Sequence, residues 1–164
     1  LFRVSKNQVI FGANHYISRF GLDSSCWLVW DKDNGETDFA DCELAWTSFN
    51  SAVRKFKYKW QGMLQENMKQ KEKKYHPNQK PVALYKFILS TYAKEGDLIL
   101  DTHVGSASSL IACEDLGFFY RACETHPKYY SDSLERLKSH VAQGKLFQRL
   151  GRDEMRLSQP SMFA

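Results

Sequence analysis

The chain has 164 residues and a formal net charge of +4, and 43% of its residues are hydrophobic and 26% are charged. This length and composition fit one globular domain with a hydrophobic core and exclude a disordered chain. No apolar run reaches the roughly 18 residues that a membrane-spanning helix needs, so the sequence excludes a membrane-embedded protein. Residues 1–10 also lack the charged flank and apolar run of a signal peptide.

The hydrophobic pattern predicts alternating strands and helices. Strands are predicted at 8–11, 26–30, 43–49, 98–100 and 118–123. Helices are predicted after Pro81, from Ser106 to Leu116, and after Pro127. Because strands that alternate with helices pair in parallel, the predicted fold class is α/β, with a doubly wound, Rossmann-like sheet. Residues 1–150 form the predicted domain and 151–164 a loosely held tail.

The cysteines lie at irregular spacings of 16, 71 and 10 residues, at Cys26, Cys42, Cys113 and Cys123. That spacing does not predict a disulfide framework, and without a Cys-x-x-Cys or His-x-x-x-His pair it does not predict a metal site. We therefore expect buried, reduced thiols, which are typical of a cytoplasmic protein.

The excess positive charge is local, since residues 54–80 carry nine basic and two acidic side chains. We call residues 50–75 the basic segment. Its lysines and arginine alternate with aromatic residues, a mixture suited to phosphate contact and base stacking. The alternative interpretation is a solvated, partly mobile loop. The candidate nucleic-acid contacts are Arg54, Lys55, Lys57, Lys59, Trp60, Lys69, Lys71, Lys73 and Lys74.

A strand, a turn of small residues and a helix follow one another from Leu98 onward. In nucleotide-binding α/β folds, the backbone of such a turn approaches the ligand closely at the start of the helix. Glu124 follows Asp101 by 23 residues, at the end of the next predicted strand, which suits a ribose hydroxyl pair. Any strand-helix-strand unit with a capping serine would have a similar pattern. A P-loop and a nucleophile elbow are excluded because their motifs are absent.

A second motif, His76-Pro77-Asn78-Gln79-Lys80-Pro81, directly precedes a predicted helix. Its two prolines stiffen the chain, so that Asn78, Gln79 and Lys80 would present fixed donors at the start of the helix, where a carboxylate is favoured. The alternative is an ordinary rigid turn.

The two motifs occur together and in an order that resembles the amino-group DNA methyltransferases, in the permuted class whose cofactor motif follows the catalytic motif. The resemblance covers residues 4–140. Upstream of the two motifs, three segments resemble strands of the same family as they occur in its phage-type members: Val9 to Tyr16, Trp27 to Lys32 and Glu43 to Ser48. The residues that carry it are His76 to Pro81, Gly96 to Asp101, Gly105-Ser106, Leu116-Gly117 and Cys123-Glu124.

The resemblance implies that the cofactor is S-adenosylmethionine and that the substrate is double-stranded DNA. It implies that Asp101, Thr102, Gly105 and Ser106 line the cofactor loop and that Glu124 holds the ribose. Gln79 and Lys80 would then lie near the methionine carboxylate. The basic segment falls where family members carry their target-recognition region.

The sequence departs from the family pattern at two kinds of position. Thr102-His103 replaces the usual Pro-Phe, and Ala107 stands where a second glycine is usual. The catalytic Asp/Asn/Ser-Pro-Pro-aromatic tetrad has no counterpart, so no catalytic residue is identified. In this class the tetrad is expected upstream of Leu1. Asn14, His15 and Tyr16 are the local candidates for a substitute.

The predicted function is methylation of an exocyclic amino group in DNA, with adenine favoured over cytosine. One alternative is a catalytically incomplete remnant that binds nucleic acid through the basic segment. Another is an RNA methyltransferase. We expect a cytoplasmic protein and allow for a homodimer, while the sequence leaves a restriction partner unidentified.

Overall fold

The computed structural model describes residues 1–19, 21, 23–35, 37–61 and 64–157, with side chains up to residue 144. The chain divides into two compact units, Leu1–Lys73 and Lys74–Ala164. None of the described helices is both long enough and apolar enough to span a bilayer.

The first unit is built on a four-stranded mixed sheet with the order β1-β3-β2-β4. β3 pairs antiparallel with both β1 and β2, and β4 pairs parallel with β2. A two-stranded antiparallel hairpin of β5 and β6 follows. The strands are β1 (Val9–Phe11), β2 (Trp27–Asp31), β3 (Cys42–Thr47), β4 (Arg54–Lys57), β5 (Trp60–Gln61) and β6 (Leu64–Gln65).

The core of the first unit comes from alternate residues of β2 and from the end of β3. Leu28 and Trp30 are buried on β2, as are Ala45 and Trp46 on β3. The Trp30 indole N–H donates to the carbonyl of Tyr58, at 3.2 Å. That bond fixes the chain beyond β4 against the central strand.

The described residues of the second unit form three helices and two parallel strands. β7 and β8 pair in register from Leu98 with Phe119 to Asp101 with Ala122. Leu89 of α1 packs against Ala112 and Cys113 of α2 in its core. The α/β class and the parallel pairing of these two strands are thereby confirmed. The elements are α1 (Val82–Tyr92), β7 (Leu98–Asp101), α2 (Ser108–Leu116), β8 (Phe119–Ala122) and α3 (Pro127–Leu157).

The structure differs from the sequence expectations at three places. The strands of the first unit pair mainly antiparallel, because they follow one another without intervening crossover helices. Helix α2 begins at Ser108 and not at Ser106, since Ala107 adopts a left-handed conformation. Helix α3 continues to Leu157, into the predicted tail, and residues 158–164 lie outside the described residues.

All four cysteines are free thiols. Cys26 and Cys113 are buried as expected, whereas the expectation of burial is wrong for Cys42 and Cys123. Cys42 begins β3 at its exposed end, and Cys123 follows the last residue of β8. Burial raises the pKa of Cys113 to about 11, which keeps this thiol protonated at neutral pH.

Asp115, on α2, joins the three helices of the second unit. One carboxylate oxygen lies 2.6 Å from Nζ of Lys86 on α1, and the other lies 2.6 Å from Nε2 of His140 on α3. Burial raises the pKa of Asp115, but the hydrogen bonds from Lys86 and His140 outweigh it and hold this pKa below its ordinary value.

Replacing Asp115 with asparagine is expected to lower the free energy of unfolding at pH 7 by about 1 kcal/mol, the scale of exposed ion pairs. A carboxyl group whose pKa is lowered by folding stabilises the protein above its unfolded pKa of roughly 3.9 and loses that effect as pH falls through the folded value. Urea titrations between pH 3 and 7 should therefore show a shallower acid limb for the variant. An unchanged acid limb, with Glu95→Gln as the control, would contradict the role of Asp115.

Candidate functional site

The loop after β7 is closed by the carboxylate of Asp101. Its Oδ1 accepts a hydrogen bond from the backbone N–H of His103, at 2.9 Å, and its Oδ2 accepts one from the hydroxyl of Ser109. Asp101 thus joins the first turn of the loop to the first turn of α2. The Thr102 hydroxyl lies 2.9 Å from Nδ1 of His103, on the exposed side of the loop.

Two residues of this loop have left-handed backbones, Gly105 with φ +54° and Ala107 with φ +63°. A Cβ atom added to Gly105 would lie 3.3 Å from the His76 ring, so the backbone and the ring approach closely. Glycine at 105 is therefore favoured both by its left-handed conformation and by its close approach to the His76 ring. Ser106, between the two, is only 4% exposed.

Glu124 follows β8 and binds the same loop. Its Oε2 accepts the Gly105 N–H and its Oε1 accepts the His126 N–H, each at 2.9 Å. These two bonds hold the pKa of Glu124 below its ordinary value. The Cys123 N–H also donates to the Asp101 carbonyl, at 2.9 Å. The structure therefore brings Asp101, Gly105 and Glu124 together at the carboxyl ends of two parallel strands.

The motif before α1 forms a closed turn beside this loop. The Gln79 side chain is 5% exposed, and its Oε1 accepts the Tyr75 N–H at 2.8 Å. The His76 Nδ1 accepts the Asn78 N–H at 3.1 Å, while the His76 ring faces Gly105. Gln79 thus has a bond inside its own turn, which the sequence did not reveal, whereas Lys80 next to it is half-buried.

The loop and the two carboxylates fit the cofactor that the resemblance implies. A carboxylate offers about four acceptor sites, and two of those on Glu124 are used by the bonds from Gly105 and His126. Because Glu124 is only partly buried, its remaining sites can accept a pair of ribose hydroxyls. Parallel strands that end beside a helix N-terminus are where α/β folds bind nucleotides.

Ser109 and His126 belong to the site although sequence reasoning did not select them. Ser109 follows Asp101 by eight residues and is the second residue of α2, so the hydroxyl reaches the carboxylate only through the path of the intervening loop. His126 contributes its backbone N–H, and a backbone donor has no residue signature. The His126 ring packs on Tyr129 at 4.5 Å between centroids.

The basic segment is not one loop, because it contains β4 and the β5–β6 hairpin. Three of its lysines have acidic partners, in the pairs Lys55 with Asp31 at 3.4 Å, Lys57 with Asp33 at 2.8 Å, and Lys59 with Asp33 at 3.6 Å. The hydrogen bond between Lys57 and Asp33 raises the pKa of the lysine and lowers that of the carboxylate.

The aromatic residues of the basic segment are partly covered. Phe56 and Tyr58 stack on each other, with ring centroids 5.6 Å apart and an interplanar angle of 11°, and Trp60 is half-buried. Lys69, Lys71 and Lys74 are exposed and make no ion pair within the described part of the chain, and Lys73 is also exposed. The cations most accessible to a phosphate are therefore the lysines of residues 69–74 and Arg54, which is exposed at the start of β4.

No group of three or more His, Cys, Asp or Glu side chains is arranged to hold a metal ion among the residues that the structure describes.

Curated relatives of the chain are methyltransferases. The type II methyltransferase M.HpaI of Haemophilus parainfluenzae is 36% identical over 69 residues, which are 42% of this chain and 22% of that protein. The type II methyltransferase M.HindIII of Haemophilus influenzae is 29% identical over 75 residues, which are 46% of this chain and 24% of that protein. The matches thus span less than a quarter of the length of these relatives.

Solved structures share the fold. The crystal structure of the M1.HpyAVI–SAM complex aligns with a TM-score of 0.58 and 23% identity, over 80% of this chain and 74% of that chain. The crystal structure of M1.HpyAVI aligns with a TM-score of 0.51 and 22% identity, over 80% and 72%.

The family comparison covers most of the chain, since the DNA methylase family N6_N4_Mtase matches residues 22–135. The resemblance inferred from the sequence motifs is thereby confirmed. S-adenosylmethionine is confirmed as the cofactor at the level of the family, which uses it as methyl donor. The chain belongs to the N6/N4 DNA methylase family.

Proposed function

We propose that this chain carries the S-adenosylmethionine-binding part of a DNA methyltransferase that acts on the exocyclic amino group of adenine, with cytosine as the alternative target. The observation that carries the proposal is the link from Glu124 through the Gly105 N–H to the loop that Asp101 closes. Family membership supplies the chemistry. The link supports a ligand site at the carboxyl ends of β7 and β8.

In this proposal each predicted residue has one task at the site. S-adenosylmethionine, when bound, supplies an activated methyl group. Glu124 accepts the ribose hydroxyls, and the loop of Asp101, Thr102, Gly105 and Ser106 lines the cofactor. Lys80 supplies positive charge for the methionine carboxylate of the cofactor. Gln79 stabilises the turn before α1 by accepting the Tyr75 N–H.

Methyl transfer also requires groups that bind the target base and hold it in place. An exocyclic amine is a weak nucleophile, because its lone pair is delocalised into the ring. A flipped base has to be held in near-attack geometry by acceptors and by a stacking ring. The 164 residues contain no Pro-Pro-aromatic tetrad. We therefore propose that this chain alone binds the cofactor without methylating DNA.

The local candidates for a substitute are poorly placed for that task. Asn14, His15 and Tyr16 are exposed, the first two in a short 3-10 helix. The Tyr16 hydroxyl donates to the Phe11 carbonyl at 3.1 Å, so it is engaged within its own loop. No proline holds a carbonyl at this place.

The basic segment is proposed as the surface that contacts double-stranded DNA, chiefly through the exposed lysines of residues 69–74. Three ion-paired lysines contribute less, because a phosphate has to displace the carboxylates of Asp31 and Asp33. Competition between duplex DNA and RNA of equal length separates this proposal from an RNA methyltransferase. The cytoplasmic location, the phage-type origin and the homodimer stay predictions.

Calorimetry with S-adenosylmethionine and a radiolabelled transfer assay test the proposal together. We expect binding of the cofactor and no incorporation of label into unmethylated DNA. A folded chain that shows no binding at millimolar cofactor would contradict the site. Robust incorporation that Tyr16→Ala abolishes would contradict the inactivity. When a tetrad-bearing segment is added upstream of Leu1, transfer should return, and nucleoside analysis then separates N6-methyladenine from N4-methylcytosine.

A further inference from the structure

Arg136, on α3, is a buried cation in contact with the cofactor loop. Arg136 is only 9% exposed. Its Nη1 donates to the Ser106 carbonyl at 2.7 Å and to the Ser108 hydroxyl at 2.9 Å. A buried guanidinium is costly unless such hydrogen bonds satisfy it. Its position therefore fixes the groups that it binds.

The two groups that Arg136 binds lie on either side of Ala107. Ser106 precedes this left-handed residue, and Ser108 is the first residue of α2. A non-glycine residue in this conformation persists only where the surrounding structure holds it. The Ser106 and Ser108 hydroxyls also lie 3.1 Å apart, which closes the turn around the guanidinium. Arg136 thus holds together the two ends of the strained turn.

The same guanidinium lies over the ring of Tyr75, with its carbon 5.2 Å from the ring centroid. Tyr75 donates its backbone N–H to the Gln79 side chain and so belongs to the closed turn before α1. Arg136 consequently contacts both segments that carry the proposed cofactor residues. These are the loop after β7 and the turn at residues 75–81.

We propose that Arg136 is a positioning residue for cofactor binding, which holds the Ser106–Ser108 turn and the residue 75–81 turn in their binding arrangement without touching the cofactor. This inference rests on the proposed function. It adds a residue more than thirty positions beyond Asp101 in the sequence, on a helix that the cofactor motif does not include.

Replacing Arg136 with methionine removes the donors and keeps a long side chain. We expect the Kd for S-adenosylmethionine, measured by calorimetry, to rise at least about tenfold, the change that follows from losing one hydrogen bond to a charged group. Arg136→Lys should give an intermediate Kd, because lysine keeps the charge but cannot reproduce the planar fork over Tyr75. Hydrogen exchange at the amides of residues 104–109 should be faster in the methionine variant.

Lys138→Met is the matched control, since it removes an exposed cation from the same helix. It should leave both the Kd and the exchange rates unchanged. If Arg136→Met is folded by circular dichroism and binds like the wild type, the inference is wrong while the proposed function stands. If the wild type does not bind, both are wrong. Should Arg136→Met not fold, Ser108→Ala decides, because an unchanged Kd in that variant overturns the inference.

Discussion

The substitution Glu124→Gln is expected to weaken S-adenosylmethionine binding by about 10- to 100-fold. The amide can accept only one of the two backbone N–H groups that the Glu124 carboxylate accepts from Gly105 and His126. Its NH2 group then faces the other donor. Losing a hydrogen bond to a charged group costs about 1.5–3 kcal/mol, which sets the size of the effect. Calorimetry at pH 7 measures it, and Asp101→Ala should lose affinity on the same scale.

The pH dependence of binding provides a second measurement for Glu124. Because folding lowers its pKa, the charged carboxylate holds the loop at all pH values above its ordinary pKa of roughly 4.3. Affinity should be insensitive to this group between pH 5 and 8 and should fall only as pH drops through the lowered pKa of the folded protein, below the ordinary value. Glu135→Gln, an exposed change on α3, is the control. Equal affinities for the wild type and Glu124→Gln would remove Glu124 from the site.

Neutralising the four lysines of residues 69–74 is expected to flatten the salt dependence of DNA binding. Each phosphate contact contributes a slope of about −0.9 to log K against log salt, so four lost contacts change the slope by roughly 3 to 4. Fluorescence anisotropy with a labelled duplex, between 50 and 300 mM salt, provides the slopes. The variant carries glutamine at Lys69, Lys71, Lys73 and Lys74.

A triple glutamine variant at the ion-paired lysines is the matched control for that experiment. Lys55, Lys57 and Lys59 face Asp31 and Asp33, so their removal should change the slope by less than the quadruple variant does. If the quadruple variant keeps the wild-type slope, the basic segment is a solvated surface and not a DNA contact. A larger change in the control would place the contact at Lys55, Lys57 and Lys59.

The second unit could be predicted largely from local sequence. The apolar run at 98–100, the helix closed by Gly117 and the strand after it all carry local signals, and the structure has β7, α2 and β8 there. The pairing of β7 with β8 follows from the helix between them. The sequence predicts the start of α2 two residues early, because serine is a typical helix cap, whereas the left-handed Ala107 delays the helix to Ser108.

The first unit and the loop contacts depend on residues far apart in the sequence. The pairing of β3 with β1 and β2 is a choice among strands of similar hydrophobicity, which the pattern alone does not decide. Asp31 and Asp33 lie more than twenty positions before the lysines that they pair with. Their carboxylates reduce the positive charge that the basic segment presents. Arg136 reaches Ser106 across 30 residues, a contact that no local motif predicts.

Ala107 limits which sequences this loop can accept. A φ of +63° is about 1 kcal/mol less favourable for alanine than for glycine. Burial of the alanine methyl group stabilises the fold by a similar amount. Exchange between the two residues is therefore nearly neutral, which explains how alanine can stand where the family pattern has glycine. Any longer side chain meets both the backbone penalty and a filled space. Random mutagenesis with selection for S-adenosylmethionine binding should recover mainly glycine and alanine at position 107.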